Sequence, residues 1–110
     1  MLHRYCLALD LKEDQSLFIE YEAYHKKVWP EILDSIKNSG IEHMEIYRTG
    51  NRLFMIMEVN DLFSFEEKQK VDAANEKVQQ WETLMWQYQQ ALPFAKPGEK
   101  WVMMNKIFDL

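Results

Sequence analysis

Apolar and polar residues alternate with a period of two in several stretches of the chain and recur every three or four residues in others. In RYCLALDL, residues 4–11, Tyr5, Leu7, Leu9 and Leu11 fall on one side and Cys6, Ala8 and Asp10 on the other, which predicts a strand largely buried on both faces. From Glu13 the apolar positions take helical spacing through Leu17, Tyr21, Tyr24, Val28, Ile32 and Ile36. Pro30 suits the first turn of a helical segment and Gly40 its end, so this helix is expected to bend or break near Trp29. IEHMEIYR and NRLFMIMEV alternate again across TGN, where Gly50 and Asn51 are able to take positive φ, and predict an antiparallel hairpin. Val71, Ala74, Val78, Trp81, Met85, Tyr88 and Leu92 trace one face of a second long helix; LPFAKPGEK reads as a loop and WVMMNKIF as the last strand.

The order βαββαβ is the ferredoxin-like α+β sandwich, in which both helices cover one face of a four-stranded antiparallel sheet. The other face is also apolar in strands one, three and four, through residues such as Cys6, Ala8, Phe54, Ile56, Val102 and Met104. Left uncovered, it would be a large apolar patch, so a homodimer packing sheet against sheet, a dimeric α/β-barrel, is expected. The chain of 110 residues is long enough for one core and too short for two, so residues 1–110 are read as a single domain.

Composition narrows the function classes. The formal charge is −5, with Lys and Arg interleaved among Asp and Glu, so no basic stripe exists to bind nucleic acid. Cys6 is the lone cysteine, and the N-terminal apolar run is short and lacks a small-residue cleavage site; the expectation is a cytoplasmic protein that does not enter a membrane. His3, His25 and His43 show no HExxH or Cys/His spacing, and no glycine-rich nucleotide motif or GxSxG is present, so neither a metal nor a cofactor is expected.

The chemistry-bearing stretch is YEAYHKKVWPE, residues 21–31. By composition alone, a histidine among aromatics is more often structural than catalytic. His25 nevertheless has an ordinary pKa near neutrality suited to proton transfer, and Tyr21 at i−4 shares its helical face and offers a hydroxyl. Trp81 and Trp86 offer an apolar platform for a sugar ring, although Trp81 also lies on the core stripe.

YEAYHKKVWPEI, the helix end SIKNSG, the hairpin EIYRTGNRLFMIMEV, the segment VQQWETLM and the closing aromatic strand together resemble the L-rhamnose mutarotase family over essentially the whole chain. The resemblance implies a small cytoplasmic homodimer that interconverts the α and β anomers of a deoxy-sugar without cofactor or metal. It implies that His25 transfers the proton, that Tyr21 binds the sugar and that Trp81 lies in or beside the pocket. In the mechanism expected from these residues, Tyr21, helped by Tyr24, supplies the donor complementary to His25, and Trp29 and Trp86 join Trp81 in packing against the apolar C5–C6 edge of the sugar. Rhamnose-type members tend to carry Tyr at the position of Met44 and a second Trp at that of Glu82. The loss of a phenol and an indole there makes this chain look closer to members acting on L-fucose. The alternative is a cofactor-free monooxygenase or haem-degrading member of the broader dimeric α/β-barrel group, for which an apolar pocket and one histidine also serve.

Overall fold

The alternation at the start of the chain becomes β1 (His3–Leu11) in a computed structural model that describes all 110 residues. It is followed by α1 (Gln15–Lys26), α2 (Pro30–Asn38), the hairpin β2 (Ile41–Thr49) and β3 (Arg52–Val59), α3 (Phe65–Ala73), α4 (Glu76–Trp86), β4 (Gln89–Gln90) and β5 (Val102–Met103). The sheet is antiparallel in the order β2, β3, β1, with β4 and β5 sharing the far edge of β1. The mixed α+β architecture is consistent with the ferredoxin-like arrangement.

The β1–β3 register places Leu7 opposite Met55 and Leu9 opposite Leu53, and β2 adds Met44 opposite Met57 and Ile46 opposite Met55. These side chains face the helices. Leu9, Leu11 and Leu53 are at most 1% exposed, and a fully buried leucine contributes roughly 1.5–3 kcal/mol. Cys6, Ala8, Phe54 and Ile56 point to the other face and stay half-buried rather than buried in the single chain.

The first helical region breaks where expected. Lys27 closes α1 and Trp29, extended at φ −57° and ψ 137°, precedes Pro30 at the start of α2. Proline lacks an amide hydrogen and disfavours helical backbone in the residue before it, so the chain re-enters a helix only after turning. Gly40 ends the unit at φ 103°, and a Cβ there would lie 2.7 Å from Asn60 Oδ1, so only glycine fits.

Three boundaries differ from the expectation. The second helical region is two helices, because Ser64 and Asn75 each cap a new N-terminus, their side-chain oxygens accepting from the amides of Glu67 and Val78. Tyr88 and Leu92 continue the apolar spacing but lie beyond α4, where β4 pairs Gln89 with Leu11 and Gln90 with Asp10. The last strand is confined to Val102–Met103, pairing with Ala8 and Leu7. In the hairpin turn Gly50 alone takes positive φ; Asn51 instead donates its side-chain amide to the Leu11 carbonyl at 3.1 Å.

The buried apolar residues form two groups. One joins Leu11, Tyr21, Ile32, Leu53, Val78, Trp81, Met85 and Tyr88, and the other Leu7, Ile41, Met55, Met57 and Val59. Members of both line a cavity of about 700 Å³ between sheet and helices. Close-packed interiors do not leave voids of that size, whereas small-ligand sites span roughly 300–1,000 Å³.

Candidate active site

Helix α1 delivers Tyr21 and His25 to the cavity wall because residues four apart lie on one helical face. The His25 ring sits between two aromatic rings, 4.4 Å from Tyr21 and 5.9 Å from Trp81 between centroids. Its Nδ1 lies 2.8 Å from the Tyr21 backbone carbonyl. A carbonyl only accepts, so Nδ1 carries the hydrogen in the neutral ring and Nε2 presents a lone pair. Burial lowers the His25 pKa from its ordinary 6.5, against the weaker opposing effect of the Tyr21 carbonyl bond. The ring is therefore neutral near pH 7 and available as a base.

Tyr21 is 3% exposed, and burial first, with the Glu82 charge a smaller contributor in the same direction, pushes its pKa up to about 12. Its hydroxyl oxygen accepts from Gln89 Nε2 at 3.1 Å. The phenol proton is left to donate elsewhere. One cavity wall thus offers a neutral base and an un-ionised donor on successive turns of one helix.

Of the other residues named from sequence, Met44, Trp81 and Glu82 line the same cavity. Trp81 is central to the aromatic packing, meeting the ring of Trp29 at 5.1 Å and that of Tyr24 at 6.2 Å. Tyr24 and Trp29 themselves face a separate, shallower depression of about 330 Å³ with Glu20, Ala23 and Lys27. Trp86 lies on the exposed side of α4, with Lys100 Nζ 4.8 Å from its ring centre. Glu82 is paired with Lys100, which also lines the cavity.

The sequence reading missed Gln89, Lys100 and Trp101 in the cavity wall. Trp101, at the head of the closing strand, carried a readable signal. Gln89 carried none, since a glutamine in WQYQQ is expected at the surface; here it is 4% exposed. Also in the cavity wall, Asp72 accepts from Lys68 Nζ at 2.8 Å and from Ser35 Oγ at 3.0 Å. No group of three or more His, Cys, Asp or Glu side chains converges in a way that suits a metal ion, and no helix is long and apolar enough to cross a membrane.

A sequence model of the L-rhamnose mutarotase family matches residues 4–110. An L-fucose mutarotase of Xanthomonas campestris pv. campestris is 42% identical over 111 residues, covering 99% of this chain and 89% of that protein. A UPF0734 protein of Dictyostelium discoideum is 36% identical, covering 96% and 88%. The crystal structure of an L-rhamnose mutarotase from Formosa agariphila superposes with a TM-score of 0.71 at 22% identity, covering 98% of each chain, a likeness that shows the fold. These matches do not favour a monooxygenase or haem-degrading protein. The chain belongs to the L-rhamnose mutarotase family, and is a sugar mutarotase, an isomerase acting on carbohydrates.

Proposed function

We propose that the protein interconverts the α and β anomers of a 6-deoxy-L-hexose, with L-fucose preferred to L-rhamnose, and that His25 carries the proton. The observation that carries this reading is the His25 tautomer: Nδ1–H is spent on the Tyr21 carbonyl, leaving the Nε2 lone pair on a residue of the cavity wall beside an un-ionised phenol. Nε2 takes the proton from the anomeric hydroxyl as the C1–O5 bond breaks and the C1 aldehyde forms. Tyr21 passes its phenol proton to the ring oxygen as the C1–O5 bond breaks. The aldehyde rotates about C1–C2, the C5 hydroxyl oxygen attacks its other face while returning its proton to Tyr21, and the proton on Nε2 passes to the new anomeric oxygen. No net proton is consumed, so one near-neutral imidazole serves both directions. Trp81 packs against the apolar C5–C6 edge of the sugar, with the rings of Trp29 and Tyr24 packed against it from outside the cavity, while Trp86 lies too far toward the surface to take part.

The L-fucose preference rests on the 42% identical relative of that name and on Met44 and Glu82 in the cavity wall. A site built around particular hydroxyls discriminates through polar groups left unpaired by the wrong configuration. The test is NMR saturation transfer between the anomeric protons of each sugar. Faster enzyme-dependent exchange for L-fucose is expected; equal or faster exchange of L-rhamnose would overturn the preference, and no acceleration of either would overturn the reaction.

The working form in this reading is a cytoplasmic homodimer of the single domain formed by residues 1–110. The half-buried outer sheet residues Cys6, Ala8, Phe54 and Ile56, together with exposed Met103, Met104, Ile107 and Phe108, give one copy an apolar surface for another. The free thiol of Cys6 is compatible with a reducing compartment.

A further inference from the structure

Gln89 combines three features that a surface glutamine does not share. It is 4% exposed, it belongs to the cavity wall, and its Oε1 accepts no hydrogen bond from any protein group while Nε2 is committed to the Tyr21 hydroxyl. A buried acceptor left without a donor is destabilising, and proteins keep few of them. The adjacent Tyr21 has the complementary deficit, a phenol proton with no acceptor among the protein groups bonded to it. One carboxamide and one phenol therefore leave one acceptor and one donor unspent side by side.

A sugar hydroxyl is the group that satisfies both at once, because it accepts through its oxygen and donates through its hydrogen. We propose that Gln89 and Tyr21 together form the recognition site for a single ring hydroxyl of the substrate, which accepts from Tyr21 and donates to Gln89 Oε1. The three groups then close a one-way ring of hydrogen bonds, from Gln89 Nε2 to Tyr21, from Tyr21 to the sugar and from the sugar back to Gln89. Rings of this kind strengthen each member by polarisation in a low-dielectric site. Gln89 is thus a specificity-determining residue, and it also orients the phenol by occupying the lone pair that Tyr21 would otherwise turn toward the sugar. In the bound sugar the phenol donates to this hydroxyl, and it turns to the ring oxygen as that oxygen gains electron density on ring opening.

The assignment rests on the proposed mutarotase reaction with a 6-deoxy-L-hexose, and the experiment separates the two. Enzyme-dependent anomer exchange is measured for L-fucose and for three analogues lacking the hydroxyl at C3, C4 or C2, in the wild type and in Gln89→Met, which keeps the side-chain length and removes both polar ends. Wild-type kcat/KM falls about 10- to 100-fold for one analogue in particular, mainly through KM. Gln89→Met shows a loss for L-fucose and a clearly smaller further loss for that analogue than the wild type does, since only the Tyr21 bond to the hydroxyl remains. Equal penalties in wild type and variant for all three analogues would overturn the role of Gln89 while leaving the reaction intact. A wild type that fails to accelerate L-fucose would overturn the reaction and this assignment with it. Should Gln89→Met fold poorly, the wild type supplies the answer: the Gln89 side-chain amide resonances shift on L-fucose addition and not with the critical analogue, and resonances unmoved by L-fucose would refute the contact.

Discussion

Two histidine and tyrosine groupings occur in the molecule, one on helix α1 and one on β2, where His43 also borders the cavity, and their difference shows what suits the first to the proposed chemistry. On β2, Glu45 accepts from His43 Nε2 at 2.8 Å and from the Tyr47 hydroxyl. Those bonds, Tyr47 first and His43 second, hold the Glu45 carboxyl below its usual range. The three side chains satisfy one another in contact with solvent. On α1, Tyr21 and His25 have no carboxylate bonded to them; the His25 Nδ1 is tied to a backbone carbonyl, and burial favours the neutral ring. The residue types are shared. What sets Tyr21 and His25 apart is the lone pair and proton left unspent in a cavity, on which the proposed reaction rests.

The comparison breaks most visibly through the histidines. His25→Ala removes the proposed proton carrier and should reduce enzyme-dependent anomer exchange by about 10²- to 10⁴-fold, the usual worth of general acid–base catalysis, with the circular dichroism unchanged. His43→Ala should change exchange less than about twofold, since it strands only solvated partners.

The tyrosines give a smaller contrast. Tyr21→Phe should lower kcat/KM about 10- to 100-fold and also destabilise the fold by about 1–3 kcal/mol, because Gln89 Nε2 loses its buried acceptor. Denaturant titration checks the second effect. Tyr47→Phe, at an exposed position, should leave both quantities near wild type.

The pH dependence sharpens the contrast further. The base form of His25 is the deprotonated ring, so kcat/KM should be flat above the lowered His25 pKa and fall on acidification through it, below the ordinary 6.5. Stability has the same sign. The unfolded chain takes up the proton at the ordinary value while the folded one resists, so His25 contributes fully above 6.5 and that contribution is lost as pH falls toward the folded pKa. Tyr21 works in the alkaline direction. Its folded pKa of about 12 against an ordinary 10.0 means its contribution is present below pH 10 and lost as pH rises toward 12. Urea titrations across pH, with His25→Ala and Tyr21→Phe as references, check both signs.

Much of the frame was readable from local chemistry. β1 and the β2–β3 hairpin followed from two-residue alternation, and the α1–α2 break from Pro30 and the steric restriction it puts on Trp29. The α3–α4 break was harder, because apolar spacing runs on through Tyr88 and Leu92 although the caps at Ser64 and Asn75 restart the helix. Periodicity reports which side is buried and is silent on whether the backbone is helical or extended at its ends. Within the site, Tyr21 and His25 were legible as an i, i+4 pair. Gln89 was not, because its burial is created by the pairing of β4 with β1, a contact 68 residues away in sequence from the phenol it binds.

The central claim is that His25 presents a free Nε2 lone pair to a bound sugar as a neutral base. The most direct test is an NMR titration of the ¹⁵N-labelled imidazoles with and without L-fucose. The account predicts that His25 is the Nδ1–H tautomer, titrates below 6.5 and shifts at Nε2 when the sugar binds, while His43 does not respond to it. A His25 protonated at Nε2 in its neutral form, titrating at or above 6.5, or indifferent to the sugar would contradict it.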